Sequence, residues 1–175
     1  MAAFLGIDPG LASTGIAVVE GAGMNVSSYS CGVVQTNAKD PVPQRLDSIF
    51  RELGQILEQV RPCAVIVEDV FSLPRYPKSG ITLGRVSGVI LLAGFRSGIA
   101  VHELAVREVK QVLTGNGNAG KNQLEEAVRA RIGHHEPIKP SHASDALALA
   151  LVGLYRAGSP AAPGFAGATF SGGSG

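Results

Sequence analysis

The sequence predicts a mixed α/β fold, α+β in its first part, as one domain over residues 1–156 with a flexible tail over 157–175. Three observations carry that expectation. Strand-like runs at residues 3–8, 14–19 and 25–34 follow one another with only turns between them, the order of an antiparallel meander. A later run, Ala64-Val65-Ile66-Val67-Glu68, is apolar without a break until its last residue, as in a strand covered on both faces. After the meander, apolar residues recur at helical spacing. A chain of 175 residues with 45% hydrophobic and 17% charged content can bury a core without staples.

Taken in order, the first strand ends on Asp8, and Pro9-Gly10 turns the chain tightly into Thr14-Gly15 and the second strand. Gly21-Ala22-Gly23 supplies the hairpin turn into the third. Pro41 and Pro43 open a helix whose stripe Leu46, Ile49, Phe50, Leu53, Ile56, Leu57 and Val60 lies on a sheet, and Arg61-Pro62 ends it. The central strand over 64–68 then delivers Glu68, as the first delivered Asp8. A loop over 69–78 carries Phe71, Pro74, Arg75, Tyr76 and Lys78. The helix over 79–95 is apolar around most of its circumference, so it is expected to be covered on two sides, one of them by a second subunit. A fifth strand is expected at 99–101, a short helix at 106–114 ending on Gly115, a flexible loop at 116–120 and a helix at 124–132. Ser141 is read as the cap of a last helix ending near Arg156. Beyond 157 the chain is Gly, Ala, Ser and Pro with scattered Phe, the composition of a loose tail.

Composition narrows the function classes. Asp8 interrupts the apolar start too early for a signal peptide, and the run 89–95 is cut by Arg96 and too short to span a bilayer. Cys31 and Cys63 have no metal-ligand spacing and read as reduced core residues of a cytoplasmic protein. Net charge is only +1. Its distribution says more: between Phe71 and Lys121, seven basic residues (Arg75, Lys78, Arg85, Arg96, Arg107, Lys110, Lys121) face only Glu103 and Glu108. Such a local excess suits phosphates, although a solvated basic face is the plainer alternative.

Chemistry is expected where the acids converge. If the strand over 64–68 pairs beside the first, at the spacing of about 4.8 Å between neighbours, Asp8 and Glu68 share one rim. Two acids that close either raise one pKa or bind a cation. His142 and Asp145 stand three apart at the start of the last helix and so share a face. Three carboxylates and one imidazole suit a hard divalent cation, Mg²⁺ or Mn²⁺, better than zinc. The fitting reaction is two-metal phosphodiester hydrolysis, with two ions per active site.

Gly6-Ile7-Asp8-Pro9-Gly10 with Thr14-Gly15, Val67-Glu68-Asp69-Val70-Phe71, Val109-Lys110-Gln111, Lys121 and Asp145-Ala146-Leu147-Ala148 together resemble the RuvC family of bacterial Holliday junction resolvases. The resemblance runs in register over residues 4–151. It implies an RNase H-like fold with a five-stranded mixed sheet flanked by helices, a homodimer, and a divalent-metal endonuclease that nicks opposed strands of four-way junction DNA symmetrically. It also implies work alongside a branch-migration helicase complex. By position, Asp8, Glu68 and Asp145 fall on the family's catalytic carboxylates, Phe71 on its junction-core aromatic, and Lys110 and Lys121 on basic residues near the scissile phosphate. Arg75 and Lys78, beside Phe71, are further candidates for DNA contact.

One position departs from the family's pattern. Its usual Asp-x-x-Asp in the last helix is His142-Ala143-Ser144-Asp145 here. Neutral His142 is expected to ligate one metal, so cleavage should fall as the imidazole takes up a proton, and Mn²⁺ should serve at least as well as Mg²⁺. A capping histidine outside the site is the alternative. Rival functions are an RNase H-like nuclease acting on structured RNA, an actin-like ATPase for which the chain is too short, and a junction-binding protein without catalysis. His102, His134 and His135 have no ligand spacing to the acids and read as surface or structural.

Overall fold

The structure, a computed structural model, describes residues 1–69 and 77–158, with Pro77 and Lys78 described by backbone alone. Ten elements follow in order: β1 (Ala2–Asp8), β2 (Ser13–Ala22), β3 (Asn25–Gln35), α1 (Val42–Val60), β4 (Ala64–Glu68), α2 (Pro77–Arg96), β5 (Val101–Leu104), α3 (Val106–Thr114), α4 (Lys121–Ile132) and α5 (Ser141–Ala157). The five strands form one mixed sheet in the order β3-β2-β1-β4-β5. The meander is antiparallel, while β1, β4 and β5 run parallel. This is the RNase H-like α/β arrangement that the sequence predicts. Among the described residues no helix is long and apolar enough to cross a membrane.

Strand alternation sorts the core into two layers. Phe4, Ala17, Val19, Ala64 and Ile66 point to one face, where α5 lies directly on the sheet with α3 and α4 outside it. Leu5, Ile7, Ile16, Val65 and Val67 point to the other, against Ile49, Leu53 and Leu57 of α1 and Val86, Ile90 and Ala93 of α2. Because α5 is covered on both sides, every residue from 146 to 154 is buried, and its sequence is apolar around the whole circumference there.

Several boundaries differ from those read off the sequence. The hairpin turn is centred on Gly23 and Met24, with Gly23 at φ +58°. α2 begins at Pro77, so its first turn takes residues assigned to the loop. Within the single chain one side of α2 is covered, and Ile81, Leu91, Leu92 and Phe95 on the other are exposed. β5 is displaced to Val101–Leu104, pairing Val65 with Val101 and Glu68 with Leu104. α4 begins at Lys121, and the N-cap of α5 is Pro140, not Ser141. The connection over 116–120 is held by backbone N–H groups donating to the side chains of Thr114, Asn116 and Gln123 and by the burial of Ala119. Cys31 and Cys63 are free, as expected, but both are exposed rather than in the core. The tail beyond residue 158 lies outside the described residues.

Candidate active site

The register between β1 and β4 decides where the two strand-end acids go. The pairs run in parallel from Phe4 with Ala64 to Ile7 with Val67, which leaves Asp8 and Glu68 side by side at the same rim. Both belong to the alternation that faces α5, since Asp8 follows Phe4 and Gly6 while Glu68 follows Ala64 and Ile66. Across β1, Asp8 pairs with Gly15 of β2.

Glycine then lets α5 come down onto that rim. A Cβ on Gly6 would sit 1.9 Å from the Ala146 carbonyl oxygen, and one on Gly15 would sit 2.0 Å from that of His142. With those positions bare, the first turn of α5 packs main chain against main chain, and His142 and Asp145 hang over Asp8 and Glu68. The result is a cleft of about 420 Å³ lined by Asp8, Glu68, Lys110, Lys121, His142 and Asp145. Val106, Val109, Leu124 and Leu149 form its apolar wall.

The turn after Asp8 is equally constrained. The hydroxyl of Thr14, wholly buried, donates to the Gly10 carbonyl at 2.7 Å. Thr36, just past β3, donates its hydroxyl to Leu11 O at 2.5 Å and its N–H to Ala12 O at 3.1 Å. Arg45 Nε in turn donates to Thr36 Oγ1 at 2.8 Å. Thr14 and Thr36 thus hold the loop that borders the cleft. Thr14-Gly15 was visible in the sequence as a motif, but its physical task was not; Thr36, at the end of a polar edge strand, carried no signal.

Electrostatics show how crowded the rim is. The Glu68 carboxyl is pushed up to about 7, first by burial, then by the charge and hydrogen bond of Asp8 and by Asp145, with Lys121 pulling the other way. Burial and then the Asp8 charge also raise Asp145, against Lys121, His142 and Lys110. His142 Nδ1 lies 2.5 Å from Asp8 Oδ2. In the neutral tautomer that donates Nδ1–H to the carboxylate, the lone pair is on Nε2.

Asp8, Glu68, His142, Asp145, Lys110 and Lys121 therefore share one cleft. Phe71 and Arg75 lie outside the described residues, as does the side chain of Lys78. His134 sits apart from the cleft, its Nδ1 2.9 Å from the Tyr29 hydroxyl, in a structural role. Among the described residues, no three His, Cys, Asp or Glu side chains are spaced as the ligands of a metal ion. Asp8 instead touches His142 and Glu68 directly. The donor types nonetheless fit a hard divalent cation: three carboxylates, two of them raised by crowding and burial, and one imidazole.

Comparison with known proteins covers most of the chain. The family model described as "Crossover junction endodeoxyribonuclease RuvC" matches residues 4–153. Proteins of that description are similar to the chain. One from Prosthecochloris aestuarii is 38% identical over 159 residues, covering 89% of this chain and 84% of the relative. Another, from Heliobacterium modesticaldum, is 40% identical over 147 residues, covering 84% and 90%. The solved structure "T. thermophilus RuvC in complex with Holliday junction substrate" superposes with a TM-score of 0.84 at 33% identity, covering 90% of this chain and 96% of that one. The yeast mitochondrial Holliday junction resolvase Ydc2, at 13% identity and a TM-score of 0.58, shares the fold.

Proposed function

The chain belongs to the RuvC family of crossover junction endodeoxyribonucleases and is a Holliday junction resolvase, and from that premise we propose that Asp8, Glu68, His142 and Asp145 form its catalytic set. The observation that carries this is the parallel β1–β4 register, which sets two acids side by side under the first turn of α5. The family's cleavage depends on divalent metal ions. Bound among these four side chains, two Mg²⁺ or Mn²⁺ ions would supply an activated water and stabilisation of the leaving oxygen.

The chain's own residues do the rest. Asp8 orients the His142 ring through Nδ1, which leaves Nε2 of the neutral ring as its donor atom. Lys110 and Lys121 hold the scissile phosphate and offset the charge that develops on it in the transition state. The wall of Val109, Leu124 and Leu149 lowers the local dielectric, which strengthens both effects. Phe71, with Arg75 and Lys78 beside it, is assigned to the unpaired bases at the junction centre, where stacking contributes about 1–3 kcal/mol.

The substrate in this reading is four-way junction DNA, in keeping with the junction bound to the Thermus thermophilus relative. A two-fold substrate cut twice calls for two sites related by a two-fold axis. The exposed stripe Ile81, Leu92 and Phe95 of α2, with Gly84 and Gly88 open between them, is the surface we assign to a homodimer. A branch-migration helicase complex is the assigned partner in supplying junctions. The free cysteines suit a reducing compartment, here the cytoplasm.

The test is incubation with a labelled four-way junction, a linear duplex and an RNA–DNA hybrid, in Mg²⁺ and in Mn²⁺. Paired nicks on the junction alone are expected, with His142→Ala impaired in both metals. Cutting of the hybrid at the junction's rate would favour a structured-RNA nuclease, and undiminished cleavage by His142→Ala would remove that residue from the set.

A further inference from the structure

Resting on the assignment of Lys110 and Lys121 to the scissile phosphate, we propose that Gln111 is a positioning residue. It sets how Lys121 is presented beside Lys110 by clasping the α3–α4 connection with both ends of its amide. The lysines stand at opposite ends of that connection: Lys110 in the last turns of α3, and Lys121 as the first residue of α4. Both line the cleft. Packing of α3 and α4 on each other and on α5 fixes the two helices, and the conformation of residues 115–120, a stretch of Gly, Asn and Ala with no large side chain of its own, sets how Lys121 is presented at the very start of α4.

Gln111 reaches that stretch at two places. Its Nε2 donates to the Gly115 carbonyl at 2.9 Å, and its Oε1 accepts the Gly117 N–H at 3.0 Å. A carbonyl on one side and an N–H on the other fix which way the amide faces, so both ends work at once. The main-chain carbonyl of Gln111 also accepts the Gly115 N–H at 3.0 Å, closing the left-handed end of α3. One residue thus holds three points of the connection.

Neighbouring bonds carry the constraint forward to Lys121. The Asn116 N–H donates to Thr114 Oγ1 at 3.1 Å, and Asn118 N–H donates to Asn116 Oδ1 at 2.9 Å. Ala119 is buried, and the Gly120 N–H donates to Gln123 Oε1 at 2.9 Å at the start of α4. The clasp is solvent-exposed, so its effect on global stability is small. Its effect on a phosphate contact is not, because a displacement of about 1 Å at a catalytic group can slow a reaction about a hundredfold.

The experiment is a double-mutant cycle of Gln111→Met and Lys121→Ala, read by single-turnover junction cleavage at saturating enzyme, with melting temperatures and hydrogen exchange at the Gly117 amide. Gln111→Met is expected to slow cleavage about tenfold, to leave the melting temperature within about 2 °C, and to speed exchange at Gly117. In the Lys121→Ala background it should add less than about twofold, because the group it positions is gone. Multiplying losses, a loss that only tracks a fall in melting temperature, or no loss at all overturns the clasp while leaving the lysine assignment standing. Wild-type cleavage by Lys121→Ala overturns that assignment and the clasp with it.

Discussion

On one face of the sheet, α5 rests with its own backbone against Gly6 and Gly15, and its Gly153 sits over Ile66 and Phe4. On the other, α1 and α2 stand off on full-sized side chains, Ile49, Leu53, Leu57, Val86 and Ile90. The first arrangement leaves almost no freedom: the height of α5 above β1 and β2 is set by atoms that cannot rotate away. The second tolerates adjustment, and α2 still presents Ile81, Leu92 and Phe95 to solvent. Chemistry that needs placement within a fraction of an ångström is assigned to the rigid face. Association, which can absorb side-chain rearrangement, is assigned to the adaptable one.

The contrast can be broken most decisively at Gly15. Gly15→Ala puts a methyl group into the His142 carbonyl, so α5 must rise over Asp8; cleavage should fall about a hundredfold and stability by about 1–3 kcal/mol. Wild-type kinetics with an unchanged melting temperature would show the close approach to be inconsequential. On the other face, Leu92→Glu should weaken self-association about thirtyfold by sedimentation and turn paired cuts into independent single nicks. A dimer that survives it would move the interface away from α2.

Acidity sharpens the comparison next. The folded state holds a proton on Glu68 up to about pH 7, whereas the unfolded chain releases it near 4.5. Between those values the folded form binds more protons, so stability in a chelator should fall as pH rises through that window, by a few kcal/mol at most. Glu68→Gln should flatten the dependence; a melting temperature that climbs from pH 5 to 7 in both proteins would contradict it. The smallest effect belongs to Gly84→Ala. A Cβ there meets open space, so the exchange should stabilise the isolated fold by roughly 0.5–1 kcal/mol, the opposite sign to Gly15→Ala in the same melting assay.

Much of this was legible in the chain. β1, β4, α1 and α3 fall where apolar periodicity places them, because each buries one well-defined stripe or a whole run. Asp8 and Glu68 could be put on one rim from two strand endings, given only a parallel pairing. β5 was misplaced because its ladder continues through polar His102 and Glu103 on a strand at the sheet's edge, while Ile99 and Ala100 serve the approach to it. The Ile99 N–H bonds back to Gly94, closing the end of α2. Gly6 and Gly15 read in the sequence only as members of two strands and their motifs; their purpose appears only when a distant helix is laid across them. The connection over 116–120 resembled a flexible linker because its order comes from Gln111, Thr114 and Gln123, side chains whose bonds depend on a conformation composition does not encode.

Seating α5 through main-chain atoms has a further outcome for position 142. The carbonyl of that residue meets bare glycine whatever its side chain is, so the site at its Cβ stays put when the side chain changes. A lineage can then trade an aspartate for an imidazole there with no compensating repair of the scaffold beneath.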